Sequence, residues 1–318
     1  MKNEDCLKEF MFSCNLRKMS KRTMKGYRNN NLAMFKYVEQ EFGITELEDM
    51  NRMVIQDYIN HLTEKGLKET YINGLLKCFR AYFNYAVEEG YISRSPMEKI
   101  KFQREVMPII QTFTDEEVYK MVRAFHGNDY MSIRNNLIMT LFLDTGIRCT
   151  ELCDLKMTDI RDTHVRIFGK NKKERMVPIS PVLNKALIRY LRCRNEWKST
   201  QLSVQEEYLL LSYRGKRLTV EAVERVVRLA GQSARVREHI RCSPHTCRHY
   251  FAQKLYRNRV DVYTISKLLG HGNLQVTRRY LQSLDSDTFI EELGAEVSPL
   301  TGIMGANPKT KKKGGGRK

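Results

Sequence analysis

The chain has 318 residues, 42% hydrophobic and 29% charged, which supplies a buried core and favours two domains over one. Lys and Arg number 55 against 37 Asp and Glu, a net charge of +18, which favours a polyanionic partner such as nucleic acid or an acidic membrane surface over a merely soluble basic protein. No run of 18 apolar residues suits a membrane-spanning helix, the N-terminus MKNEDCLKEF lacks the apolar stretch of a secretory signal, and eight cysteines without CxxC pairs suggest reduced cytosolic thiols rather than a zinc site.

In chain order, residues 1–103 read as all helix, with no internal repeat. The stretch from Asn15 to Tyr37 contains no acid and carries Arg17, Lys18, Lys21, Arg22, Lys25, Arg28 and Lys36. Ser20 is a plausible N-cap there, and spacings of three and four put several of these cations on a shared helix face. That face is either solvated or in contact with a DNA backbone. A second helix is predicted from Thr70 to Glu89, stopped by Gly90, with Leu75, Leu76, Phe79, Tyr82, Phe83 and Ala86 at core spacing. Residues 104–112, with Pro108, read as a linker. Thr114-Asp-Glu-Glu117 is a capping-box pattern that opens a second domain over 113–300.

The second domain reads as mixed. Asn135–Asp144 is an apolar helix stopped by Gly146, and His164–Phe168 with Arg175–Ile179 is a hairpin turning at Gly169-Lys-Asn-Lys-Lys173. Ser180-Pro181 starts another helix, Tyr208–Leu211 reads as a strand, and Thr219–Leu229, His245–Tyr256 and Val262–Leu269 read as helices. The tail, 301–318, ends in Asn307–Lys318, NPKTKKKGGGRK; this last stretch has no large apolar side chains and is expected to be disordered, and it is either an added nonspecific DNA contact or a cloning remnant.

Five motifs occur in order: Thr145-Gly-Ile-Arg148-Cys-Thr-Glu151-Leu152, Gly169-Lys170, His245-Thr-Cys-Arg248-His249, Leu268-Leu-Gly270-His271, and Thr277-Arg-Arg-Tyr280. Any one alone is an ordinary surface or structural group; the ordered set suits phosphodiester transfer. The transition state spreads negative charge over non-bridging oxygens, and Arg148 and Arg248 offer permanent charge with a planar two-pronged fork. Tyr280 is the candidate nucleophile; with a phenol pKa of about 10 it needs help from a cation or base near neutral pH. His245 either accepts its proton or holds the phosphate, and His271 would donate to a non-bridging oxygen. Lys170, with Lys172 and Lys173 as competitors, would protonate the leaving 5′ oxygen. Glu151, three residues after Arg148, is expected to buttress the arginines. No carboxylate cluster suggests a two-metal site, and no Walker-type loop suggests ATP, so no metal or cofactor is expected.

These residues resemble the tyrosine recombinases, whose pattern of Arg, Lys, His-x-x-Arg, His or Trp, then Tyr falls on Arg148, Lys170, His245, Arg248, His271 and Tyr280. The resemblance covers roughly 113–295 and, less specifically, the N-terminal helices. It implies a mainly α fold with a small β-hairpin: a helical SAM-like core-DNA-binding domain followed by an α+β catalytic domain. It also implies a 3′-phosphotyrosyl intermediate with a free 5′ hydroxyl, and a homotetramer that joins two double-stranded DNA sites through a Holliday junction. Accessory DNA-bending or directionality factors remain open as further partners. No membrane partner is implied, and the expected location is cytoplasmic, with the nucleoid when DNA-bound. Leu281, Leu284, Phe289, Ile290 and Leu293 form an apolar face that packs either on the same chain or on a neighbouring protomer. Cys247 stands where the family usually has leucine, and Asn171 where it often has glycine; neither should disturb catalysis. The length leaves little room for an additional arm-site-binding domain, which points to simple core sites or to a compact transposon or phage integrase; mobile-element integration or excision is the preferred reading, with Xer-like dimer resolution as the alternative. A type IB topoisomerase-like activity and a non-catalytic DNA binder on the same fold are the other readings.

Overall fold

The computed structural model describes residues 1–105, 110–169, 174–201 and 203–281, except for the side chains of 278–280. The chain divides into two compact units, Met1–Pro108 and Ile109–Lys318.

Helices α1 (Asn3–Leu16), α2 (Lys21–Phe42), α3 (Arg52–Glu64) and α4 (Glu69–Glu88) build the first unit. Ser20 does cap α2: its hydroxyl accepts the Thr23 N–H at 3.1 Å, and Gly43 ends the helix in the left-handed region. Asn51 caps α3 in the same way. All six apolar side chains expected to line α4 are buried, so the rings of Phe79, Tyr82 and Phe83 are core rather than base-stacking groups. The buried Tyr82 hydroxyl donates to the Asn3 carbonyl, which ties α4 to the start of α1. Asn73 on α4 uses both ends of its amide on Gln103, accepting its N–H and donating to its carbonyl, each at 2.8 Å, and so holds the departing chain.

One expectation here needs correction. Arg17 and Lys18 do not share the α2 face, because α1 ends at Leu16 and Lys18 turns the chain with a φ of 53°. Lys21, Arg22, Lys25 and Arg28 do lie on α2; they are exposed, and among the described residues none makes an ion pair. The buried α2 face is Asn31, Met34, Phe35 and Val38.

In the second unit, the expected capping box is present. Thr114 accepts the Glu117 N–H, and Glu117 returns to the Thr114 N–H, opening α5 (Asp115–Val122). α6 runs from Tyr130 to Thr145, starting five residues before the expected point because Asp129 caps it through the Ser132 N–H. There follow α7 (Cys149–Asp154), a 3₁₀ turn (Met157–Asp159), β1 (His164–Phe168) and β2 (Glu174–Pro178). The two strands pair antiparallel with His164 opposite Pro178 and Phe168 opposite Glu174. α8 (Pro181–Lys198) starts at Ser180 with proline in its first turn, as expected. α9 (Val220–Ser233), α10 (Pro244–Arg257), α11 (Val262–Leu269) and α12 (Leu274–Leu281) complete the described fold. The core gathers α8, α9 and α10 around α6, with Leu137, Leu141, Phe142, Val165, Val177, Tyr190 and Cys247 buried in it.

Tyr208–Leu211 is not a strand. It makes only isolated bridges, Lys156 to Tyr208 and Leu211 to Arg217. Its backbone carbonyls are taken instead by buried side chains: Arg194 and Tyr190 from α8 donate to Tyr208 and Leu209, and Arg134 and Tyr130 from α6 donate to Leu211. Polar groups satisfied this way need no neighbouring strand. Among the described residues, no helix is long and apolar enough to cross a membrane. The tail, and the expected apolar face beyond Leu281, lie outside the described residues.

Candidate active site

Gly146 stops α6 with a φ of 59°. A Cβ there would meet the Phe251 ring at 2.5 Å and Leu269 at 2.9 Å, so only glycine fits. The sharp exit delivers Arg148 as the N-cap of α7. Glu151, one turn on, accepts both the Arg148 backbone N–H (2.9 Å) and its Nη1 (2.8 Å).

α10 begins at Ser243, whose hydroxyl accepts the Thr246 N–H, with Pro244 first in the helix. This puts His245 in the first turn and Arg248 one turn later. Arg248 is only 3% exposed. Its Nη1 donates to the Gly146 carbonyl (2.6 Å), and its Nη2 donates to the Leu269 carbonyl and to His271 Nε2 (2.9 Å).

The C-terminus of α11 joins these parts. Three successive carbonyls, of Leu268, Leu269 and Gly270, accept from Arg175 Nε (2.8 Å), Arg248 Nη2 and Arg148 Nη2 (3.3 Å). A helix end leaves its last carbonyls unpaired and carries partial negative charge, so guanidinium groups suit it on both counts. Gly270, at φ 65°, turns the chain toward His271, and a Cβ on it would come within 2.9 Å of Arg175 Cδ.

Arg175 on β2 also donates to both Glu151 oxygens, at 3.1 and 2.7 Å. One carboxylate therefore serves two arginines, while Gly146 O, Leu269 O and His271 Nε2 accept from Arg248. Arg148 and Arg175 share the one Glu151 carboxylate, so this part of the site keeps a positive excess suited to an oxyanion. Burial pushes the Glu151 carboxyl up, but Arg175 and Arg148 outweigh it and hold the group below its usual range.

The histidines shift the other way. Burial, followed by the charges of Arg248 and Arg241, lowers the His245 imidazole from its usual range. Burial first, then Arg248, Arg148 and Arg175, brings His271 down to about 3. His249 packs edge-on against His245 with centroids 4.2 Å apart and is also lowered to about 3, first by burial. All three are thus biased toward the neutral imidazole near pH 7.

Two open clefts, of about 990 and 600 Å³, adjoin at Arg148. The larger takes in Glu151, Phe168, Arg175 and His271, and the smaller takes in His245, Arg248 and His249. The structure therefore brings together Arg148, Glu151, His245, Arg248 and His271. Tyr280 lies in α12, three residues beyond Thr277, whose hydroxyl contacts His271 Nδ1 at 2.8 Å. The Tyr280 side chain, Lys170, Lys172, Lys173 and Asn171 are outside what the structure describes.

Residues 111–287 match the phage integrase family, and residues 5–102 match the phage integrase SAM-like domain. The chain belongs to the phage integrase family. Tyrosine recombinase XerC of Thermodesulfovibrio yellowstonii is 30% identical over 82% of this chain and 85% of its own length. Among solved structures, XerH site-specific recombinase bound to palindromic difH substrate in a post-cleavage complex matches with a TM-score of 0.72 at 20% identity, covering 89% of this chain and 82% of that one. A lambda integrase tetramer bound to a Holliday junction matches with a TM-score of 0.69 at 19% identity, covering 88% and 77%. At these identities the structural likeness establishes the fold, a helical SAM-like domain with an integrase catalytic domain.

Within this integrase fold, sequence reasoning passed over Arg175 and Thr277. Arg175 shares the inward side of β2 with buried Val177, and a cation at an inward, period-two position was its signal. Thr277 opens the Thr277-Arg-Arg-Tyr280 motif, but nothing in its spacing announces a partner six residues back.

Proposed function

We propose that this integrase-family protein is a site-specific DNA recombinase that cuts and rejoins double-stranded DNA through Tyr280. The observation that carries the reading is the convergence of Arg148, Arg248 and His271 on the carbonyl end of α11, with a charge surplus left for a phosphate. The Tyr280 phenol oxygen attacks phosphorus, and the bond from phosphorus to the 5′ oxygen breaks. A 3′-phosphotyrosyl ester and a free 5′ hydroxyl result. His245, biased toward the neutral form, is suited to take the phenol proton. Lys170, or Lys172 or Lys173 in its place, returns a proton to the 5′ oxygen. Arg148 and Arg248 hold the non-bridging oxygens, and Glu151 keeps Arg148 in place. Rejoining reverses the steps with a 5′ hydroxyl from the other duplex, so the ester conserves the bond energy.

Arg17, Lys18, Lys21, Arg22, Lys25 and Arg28 supply phosphate contacts from the first unit, because they are exposed cations without an ion pair among the described residues. Residues 1–103 then act as the core-binding domain, 104–112 as the linker and 113–300 as the catalytic domain. Four protomers on two sites, exchanging strands through a Holliday junction, follow from the family chemistry, and the likeness to the lambda integrase tetramer supports the assembly. We assign the biological role to a mobile element acting in the cytoplasm. The likeness to tyrosine recombinase XerC favours a second role, as a Xer-like resolvase.

The test is a pool of nicked duplexes with randomised core sequence, incubated with protein in EDTA. A denaturation-resistant protein–DNA adduct is expected from wild type and absent from Tyr280→Phe. An adduct in both moves the nucleophile to another residue, and no adduct despite firm binding favours a non-catalytic binder.

A further inference from the structure

His271 sits between two helices with one nitrogen committed to each. Nε2 is 2.9 Å from Arg248 Nη2 on α10, and Nδ1 is 2.8 Å from Thr277 Oγ1 on α12. A guanidinium only donates, so Nε2 must present its lone pair. The proton of the neutral ring is then on Nδ1, and the Thr277 oxygen accepts it. Only one neutral tautomer satisfies both contacts, and in this arrangement it leaves no ring N–H for the non-bridging oxygen that His271 was expected to hold.

Thr277 is fully buried, and its β-branched side chain restricts the hydroxyl's direction. A helical threonine ordinarily turns its hydroxyl onto the carbonyl four residues back. This one reaches His271, outside its own helix. It lies one helical turn before Tyr280, and residues three apart share a face. Among the described residues, the charged groups that act on His271 come from three places: Arg248 on α10, Arg148 and Glu151 at the start of α7, and Arg175 on β2. Burial first, and then the three cations among them, hold the ring neutral, the state in which the tautomer matters.

We propose that Thr277 is a positioning residue: its buried hydroxyl fixes His271 as the Nδ1–H tautomer, which sets the Arg248 guanidinium and ties it to the helix that carries Tyr280. Both hydrogens of Arg248 Nη2 then have acceptors, Leu269 O and His271 Nε2, so the plane of the fork is defined before DNA arrives. The catalytic consequence rests on the recombinase reading of Arg248 and Tyr280; the tautomer does not.

The experiment compares full-length wild type with Thr277→Val, which keeps the shape and removes the hydroxyl, and Thr277→Ser, which keeps the hydroxyl. Nitrogen-15 NMR of histidine-labelled protein without DNA should show Nδ1–H at His271 in wild type and Thr277→Ser, and mixed tautomers in Thr277→Val. Adduct formation on the nicked pool should fall about 10–100-fold in Thr277→Val with DNA affinity nearly unchanged, and only a few-fold in Thr277→Ser, since small misplacements of reacting groups cost this much. An Nε2–H tautomer in wild type overturns the proposal, as does a Thr277→Val enzyme at wild-type rate or a folded Thr277→Ser enzyme as slow as Thr277→Val. If Thr277→Val fails to fold, the wild-type tautomer and the Thr277→Ser rate still decide. Absence of any wild-type adduct would instead defeat the recombinase reading, and the NMR result would then decide the tautomer by itself.

Discussion

The two units use their cations in opposite ways. In the first, the buried polar side chains among the described residues are three asparagines, while Lys21, Arg22, Lys25 and Arg28 stand in solvent. In the second, Arg134, Arg194 and Arg248 are themselves buried, and backbone carbonyls accept from each of them. Residues 1–105 hold 18 basic and 15 acidic side chains, so the remainder, with 37 and 22, carries most of the excess charge. A carboxylate partner would neutralise a buried guanidinium, whereas carbonyl dipoles fix its direction and leave its charge available. A fold that must present rigid positive charge to a phosphate gains by the second arrangement, and a surface that only follows a DNA backbone does not need it.

The largest effect should come from Arg248→Lys. Lysine keeps the charge but cannot span Gly146 O, Leu269 O and His271 Nε2 together. Adduct formation is expected to fall about 100–1,000-fold, in line with loss of one preorganised transition-state donor. The stranded carbonyls should also cost about 1–3 kcal/mol, read from urea denaturation. A lysine enzyme with near wild-type turnover would erase the distinction between buried forks and surface charges.

Acid should separate the units next. His249 and His271 are lowered to about 3 in the folded state, so between roughly pH 6.5 and 3 the unfolded chain binds more protons than the folded one. Stability of the second unit is therefore lost as pH falls through that window. Glu117 adds to the loss lower down. Burial pushes its carboxyl up, but Arg237 and the backbone amides of Thr114 and Arg237 bring it to about 2. Its contribution is present above its ordinary value of 4.5 and disappears as pH drops toward 2. Denaturant midpoints followed from pH 7.5 to 5.5 should fall for wild type and fall less for His249→Phe. Equal slopes in both would mean that His249 is not held neutral.

The smallest effect on the fold belongs to Lys21→Gln, Lys25→Gln and Arg28→Gln combined. Stability should change by less than about 0.5 kcal/mol, as for surface groups in general. The slope of log affinity against log salt should become shallower by up to about 0.9 for each phosphate contact removed. An unchanged slope would take the α2 cations out of the DNA surface.

Local signals carried far in this sequence because they act over a few residues. Ser20, Thr114 and Ser180 cap helices through N–H groups three positions away, and Gly43, Gly146 and Gly270 end them with left-handed backbone. The same holds for the apolar stripe of α4, whose spacing alone identified a core face. The motifs that hold Arg148, His245, Arg248 and His271 were likewise readable as one set, and the fold brings these four side chains together. What the sequence could not determine by itself are choices made by distant partners. Lys18 leaves the expected helix face because α1 and α2 must turn there, and Tyr208–Leu211 forgoes a sheet because Arg134 and Arg194 reach its carbonyls first. Arg148 meets Gly270 across 122 residues and Arg248 meets Gly146 across 102, and only such closures reveal Arg175 as the link between hairpin and helix. Caps and periodicity are properties of a turn or two of chain, whereas the direction of a guanidinium fork is set by whichever carbonyls the packed fold brings to it.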